Sequence, residues 1–292
     1  MPTIMPNELE NIARVLLQGS GASEDEAEII ARHSIKSNLA GHDSHGIIQI
    51  PTYIDRVKRG HIVPGAEYEI IKDTPTTTVV DGHWGFGYVV TERTMKTTIN
   101  KAKSSNVAAA TVYRQSHIGR LGAYSVMAAE EDMIGWITAD SGRSAKAVVP
   151  FGGKEKRLGT NPISIAMPSD LVGPFFIDMA TSAVAAGKIN LAKARGSGIP
   201  NGWIVDRDGN PSNDPDDLDV GGAILPLGAD QGHKGYGLSS IVEIFSGILT
   251  GLGFGHDPSG RHNDGSFMAV FNVSAFRELA DFKREVKELA IY

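Results

Sequence analysis

The densest chemistry in this sequence lies in residues 41–46, where His42, Asp43, Ser44 and His45 stand in a row between two glycines. An imidazole titrates near neutral pH, so a histidine beside a hydroxyl and a carboxylate suits general acid–base work. The same residue types could ligate a metal. Three ligands packed into one short turn do not converge easily on an ion, however, and no H-E-x-x-H helix supplies the usual spacing. Metal is disfavoured. That leaves a proton-transfer site, or a polar turn in which His42 and Asp43 end a helix and His45 is exposed.

A second cluster, "SHIGRLGAYS" (116–125), falls where a β-type run gives way to a helical one. Such a loop presents backbone N–H groups and the positive end of a helix next to His117 and Arg120, which suits an anion. Gly119 and Gly122 permit close approach of the backbone to a ligand. The alternative is an ordinary strand-to-helix turn with a solvated arginine. In "FIDMATSAVAAGK" (176–188) a strand again precedes a helix, with Asp178 at the junction and Thr181 or Ser182 placed as N-cap. An aspartate there can hold a ribose hydroxyl or cap a helix. "LGTNP" (158–162) and "DQGHKGYG" (230–237) add loops in which glycine frames Thr, Asn, His and Lys, as it also does in plain surface turns.

These loops need elements to position them. Residues 7–40 read as two helices, the second opened by Ser23 and Glu26 in capping-box register. "TYIDRVKRG" reads as a third, ended by Gly60. From residue 68 the texture changes to short β-type runs, "YEIIKD", "TTTVVDG", "VAAATVYR", "MIGWITAD", "ISIAMP" and "PFFIDMA", separated by helical or glycine-rich segments. The expected organisation is a helical segment over 1–67 and a mixed α/β core over 68–292. Residues 196–224 are loaded with Gly, Pro, Asn and Asp and read as a series of turns. The apolar composition of "YGLSSIVEIFSGILTGLGF" predicts a helix buried nearly all round.

The chain of 292 residues is 41% hydrophobic and 21% charged, an ordinary globular composition, and no apolar run approaches the roughly 20 residues that span a bilayer. A net charge of −6 without a basic block argues against a nucleic-acid partner. The lack of cysteine removes thiolate catalysis and sulfur-ligated zinc. With no secretory pattern at the start, a cytoplasmic location is expected. Common nucleotide signatures are missing: no G-x-G-x-x-G occurs, "AAGKIN" is an incomplete phosphate loop, and there is no G-x-S-x-G elbow. A doubly wound dinucleotide fold is disfavoured.

In order and spacing, "GHDSHG", "SHIGRLGAY", "VVPFGGKEKRLGTNPISIAMP", "FIDMATSAVAAGK", "GWIVDRDGNPSNDP" and "ILPLGADQGHKGYGL" resemble the malate/L-lactate dehydrogenase family that lacks the doubly wound fold, and most of all its hydroxycarboxylate dehydrogenase branch. The resemblance implies an NAD- or NADP-dependent oxidoreductase acting on a small 2-oxo or 2-hydroxy acid, on a largely antiparallel sheet flanked by helices. It also implies a homodimer. Carried over residue by residue, it places His45, with Ser44 beside it, at the nicotinamide and substrate, and His117 as the second active-site histidine and the favoured proton-transfer group. Gly119, Arg120 and Leu121 would line the cofactor, as would Asp178, Met179, Ala180 and Thr181, with His233, Lys234 and Gly235 as a further cofactor loop. Asn161 would neighbour the reacting centre. Many relatives carry an arginine where this chain has Gln49, so Arg120 or Arg143 is expected to grip the substrate carboxylate. Relatives also continue beyond "FKREVKELAIY". Reduction of a cyclic imine carboxylate, and an inactive nucleotide-binding homologue, are the alternative readings.

Overall fold

The computed structural model describes residues 4–140, 145–255, 261 and 263–292. Helices α1 (Pro6–Gly19) and α2 (Glu24–Leu39) pack side by side. The capping box closes as the sequence predicts: the Ser23 hydroxyl accepts from the Glu26 N–H at 3.3 Å, and the Glu26 carboxylate accepts from the Ser23 N–H at 2.9 Å. Two 3₁₀ turns, Asp43–His45 and Ile47–Gln49, lead to α3 (Ile50–Lys58).

The core follows with β1 (Glu69–Asp73), β2 (Thr77–Gly85), α4 (Gly87–Ser105), β3 (Val107–Gln115), α5 (Gly122–Glu130), β4 (Met133–Asp140), β5 (Ile163–Met167) and β6 (Phe175–Met179). Next come α6 (Ala186–Ala194), the two-residue strands β7 (Ile204–Val205), β8 (Pro211–Ser212) and β9 (Ala223–Ile224), then α7 (Gly232–Glu243), β10 (Gly265–Asn272) and α8 (Leu279–Ile291). The main sheet has seven strands in the order β1-β2-β3-β10-β4-β5-β6. Only β2 and β3 run parallel, joined by the crossover helix α4 that a parallel pair requires. The turn-rich segment 196–224 contains the small sheet β8-β7-β9. The expected mixed, largely antiparallel sheet flanked by helices is the fold observed. Its central strand β10 and the helix α8 lie outside the elements read from sequence.

Period-two alternation sends Ile137 and Met268 to one face, into a core with Met95, Ile99 and Tyr124 of α4 and α5. It sends Trp136 and Phe267 to the other face, where Phe245 meets both rings at 5.7 and 4.6 Å. A separate cluster joins Leu17, Ile30 and Tyr53 of the N-terminal helices to Phe86, Tyr88 and Val89 at the start of α4.

Two local expectations are corrected. The α7 region is not buried all round: Ile241, Ile244, Ile248 and Leu249 are 46, 46, 50 and 56% exposed. α7 and the π-helical turn Ile244–Ile248 after it lie on one face of the sheet, so only the side bearing Phe245 is covered. Nor does Thr181 or Ser182 cap α6, which starts later, at Ala186, with Ala185 as its N-cap. Their hydroxyls instead donate to the carbonyls of Thr160 and Asn161, and of Val184. Among the described residues no helix is long and apolar enough to cross a membrane.

Antiparallel pairing brings strand ends and strand starts to one edge. β3, β4 and β6 finish where β5 and β10 begin, so the segments holding His117, Asp140, Asn161, Asp178 and Asp264 share one end of the sheet.

Candidate active site

His45 reaches this edge from the N-terminal helices. After α2 the chain is held by Asn38, whose side-chain amide donates to Asp43 at 2.6 Å and accepts from the Ile47 N–H at 2.9 Å. His42 folds back with Nδ1 at 3.0 Å from the Ala40 carbonyl. His42 and Asp43 therefore shape the helix exit, and His45 points inward, half-buried. Its Nδ1 lies 2.9 Å from the Ser44 hydroxyl, and Gln49 Nε2 donates to the Ser44 carbonyl at 2.8 Å. Burial pulls the His45 pKa below its ordinary value, with His42 and Arg120 acting in the same sense and Asp178 and Asp264 opposing them. The ring is neutral at pH 7.

The two sequence-identified histidines come together: the His45 and His117 rings lie 5.6 Å apart and near-parallel at 28°. Tyr53 on α3 places its hydroxyl 2.7 Å from His117 Nδ1, and Tyr88 on α4 places its own 3.2 Å from that of Tyr53. The following loop is fixed by the Ile118 N–H, which donates to Asp264 at 3.1 Å. Tyr53, Tyr88 and Asp264 were not among the sequence-read candidates. Gly119 is needed here twice over. Its φ is +74°, and a Cβ would lie 2.3 Å from the Tyr88 ring. Gly119→Ala is expected to destabilise the fold by roughly 1–3 kcal/mol, read from denaturant unfolding, because strained backbone and a displaced ring combine.

Arg120 is half-buried, and its buried Nε has no hydrogen-bond partner among the described residues. A guanidinium left with unmet donors beside His45 is poised for an anion. The first N–H of α5 is already used: Gly122 donates to Asp178 at 2.7 Å. The helix end read from sequence as open to an anion is thus occupied by the protein's own carboxylate. Burial raises the Asp178 pKa, and the Gly122 N–H, Arg120, His42 and His45 counter it.

Asn161 lies deeper, 1% exposed with φ +41°, donating to the Ser239 carbonyl at 3.0 Å and to Glu243 at 2.9 Å. Beside it Lys146 bridges Glu243 at 3.1 Å and Asp140 at 3.6 Å. Burial raises the Asp140 pKa to about 7 against the pull of Lys146, with Glu243 and Asp264 adding to the rise. From Thr181, whose hydroxyl donates to Asn161, the frame continues through its carbonyl, which accepts from the Leu227 N–H at 2.9 Å. Gly235 then packs so closely that a Cβ would sit 2.1 Å from the Leu227 oxygen. His233 and Lys234 are exposed beside it, His233 edge-on to Phe151 at 5.6 Å. Gly119, Arg120, Leu121, Met179 and Ala180 join this rim through the Gly122–Asp178 bond, whereas Arg143 lies outside the described residues. One trio, Glu69, Asp81 and His83, brings metal-type ligand atoms within 4.8 Å of one another. Arg114 forks both Asp81 oxygens there, so a guanidinium already fills the cation's role.

The family described as malate/L-lactate dehydrogenase matches residues 4–292. The malate/(S)-sulfolactate dehydrogenase of Methanothermus fervidus is 38% identical over 293 residues, covering 98% of this chain and 84% of the relative. The crystal structure of malate dehydrogenase from Entamoeba histolytica superposes with a TM-score of 0.93 at 34% identity, covering 99% and 83% of the two chains. The Δ1-piperideine-2-carboxylate reductase of Pseudomonas syringae pvar. tomato superposes with a TM-score of 0.89 at 28% identity, covering 99% and 87%. With the paired histidines on a largely antiparallel sheet and a match over nearly its whole length, this chain belongs to the malate/L-lactate dehydrogenase family.

Proposed function

We propose that this protein is a nicotinamide-dependent dehydrogenase that interconverts small 2-oxo acids and 2-hydroxy acids. The observation that carries the reading is the stacked His45–His117 pair, with His117 held by Tyr53 and an unsatisfied arginine close by. The residues fit a dinucleotide: the exposed His233 and Lys234 can meet its phosphates, and Asp178 with residues 179–181 forms the wall facing the 119–122 loop. When bound, the nicotinamide carries the hydride. His117 moves the proton, giving it to the forming alkoxide in reduction and taking it from the hydroxyl in oxidation. Arg120 holds the carboxylate in a fork that also orients the carbonyl face. Neutral His45, held by Ser44, packs at the reacting centre, and Asn161 braces the floor beneath it.

The test is loss of NADH or NADPH absorbance against a panel of 2-oxo acids together with a cyclic imine carboxylate. Turnover of an oxo acid supports the reading and names the cofactor; cofactor binding without turnover of any panel member would sink it. Turnover of the imine alone would install the second reading, which is favoured by the similarity to the piperideine-carboxylate reductase. Loss of a charge-assisted contact costs about 1.5–3 kcal/mol, so Arg120→Met is expected to raise KM for the acid by roughly 10- to 100-fold in steady-state assays. The proposal includes a homodimer. The exposed strip of Ile241, Ile244, Ile248 and Leu249 supports it, since contiguous apolar surface marks interaction sites. Light scattering should return twice the 31.1 kDa chain mass.

A further inference from the structure

Three hydroxyl and imidazole groups lie in a row behind the histidine pair. Tyr53 Oη is 2.7 Å from His117 Nδ1, Tyr88 Oη is 3.2 Å from Tyr53 Oη, and Tyr88 Oη is 3.4 Å from the backbone carbonyl of His45. Tyr53 and Tyr88 are 2% and 1% exposed. Burial raises both phenol pKa values, that of Tyr88 to about 12, so each keeps its single proton at working pH. The carbonyl at the end of the row can only accept. If Tyr88 donates to it, Tyr88 must accept from Tyr53, and Tyr53 must accept from His117 Nδ1–H, which satisfies all three contacts. The reverse order, Tyr88 to Tyr53 to His117, leaves the carbonyl without its donor and makes one bond fewer.

We propose that Tyr88 is a positioning residue for both active-site histidines: through its one hydroxyl it holds the His45 backbone and, by way of Tyr53, fixes neutral His117 as the Nδ1–H tautomer. The proton that takes part in the reaction then belongs to Nε2, and Nδ1 serves only as the handle. The ring of Tyr88 rests on Gly119, at the head of the Arg120 loop, so the same side chain sets the spacing of that loop from the histidines. The inference deepens the dehydrogenase reading and rests on His117 as its proton-transfer group.

The experiment is ¹⁵N NMR of imidazole-labelled protein above the His117 titration, with the signal assigned by its loss in His117→Asn. The wild type should show the Nδ1–H pattern, and Tyr88→Phe, which keeps the ring on Gly119, should lose that preference. With a substrate in hand, kcat in Tyr88→Phe should fall about tenfold, the effect of losing one hydrogen bond, with KM little changed. A wild-type Nε2–H pattern, or an unchanged tautomer in Tyr88→Phe, would overturn the proposal. If Tyr88→Phe does not fold, Tyr53→Phe takes its place, and retention of the wild-type tautomer there counts against the relay. The spectrum needs no turnover, so a failed relay and a failed dehydrogenase assignment remain distinguishable.

Discussion

Replacing His117 with Asn is expected to lower kcat for oxo-acid reduction by about 10²- to 10⁴-fold, the range that a positioned general acid contributes. Folding should survive the change. Tyr53 meets the imidazole at Nδ1, and an Asn amide can offer that hydroxyl a partner from nearly the same place. Neither Tyr53 nor Tyr88 would be left with an unmatched charge, because both phenols stay protonated. Steady-state rates and thermal unfolding of the same preparation check this. A variant that keeps wild-type turnover would remove His117 from proton transfer and return attention to His45.

The largest expected effect on stability lies outside the site. Glu92 on α4 is 2% exposed and accepts from His33 Nε2 at 2.5 Å, from Lys96 at 2.7 Å and from Arg32 at 2.9 and 3.1 Å. Burial alone would raise its pKa, but these partners overcome it and hold the carboxyl well below the usual carboxylate range. Burial likewise lowers the His33 pKa, so at pH 7 the pair is a neutral imidazole donating to a carboxylate. Glu92→Ala removes the link between α2 and α4 and leaves a buried donor unpaired. The cost is about 3 kcal/mol, at the low end for breaking a buried pair because Arg32 and Lys96 can rehydrate. For a chain of this size that is a fall in Tm of roughly 6–12 °C. The pH dependence has a definite sign. A depressed carboxylate contributes stability above its unfolded pKa of about 4.3 and loses it as pH falls towards the folded value. His33, also depressed, resists protonation in the folded state, so acid opposes folding there from about pH 6.5 downward. Wild-type stability should therefore decline on acidification, and Glu92→Ala should flatten the lower part of that decline in urea titrations at stepped pH.

Much of this architecture is legible in the residues, and the exceptions have physical reasons. The runs "VAAATVYR" and "MIGWITAD" announce β3 and β4 by β-branched content and bounding turns, and the rare residue types in the turn after α2 and in the loop after β3 point to His45 and His117. β10 escapes because five of its eight residues are buried and its sequence shows no polar alternation. Asp264 escapes with it, since an aspartate in "HNDGS" looks like a turn until the strand behind it is known. Tyr53 and Tyr88 sit at core positions on their helices, where a buried aromatic and a site hydroxyl give the same signal. α7 misleads for the opposite reason: composition says that its residues favour burial, but not which surface covers them.

The place of β10 in the sheet also bears on how the protein can be made. Its register joins Ser266 to both Val112 of β3 and Ala139 of β4, so these two strands never touch except through a segment synthesised long after them. On the ribosome both wait with facing edges unpaired, the condition in which strands find wrong partners. Pairing over such sequence separation is slow because the loop must close before any contact rewards it. His117 and Asp140, at the ends of those strands, acquire their spacing only when β10 slots between them. The candidate site therefore has no half-built form, and a nascent chain that stops short of Gly265 carries the aggregation hazard of the sheet without the assembled site.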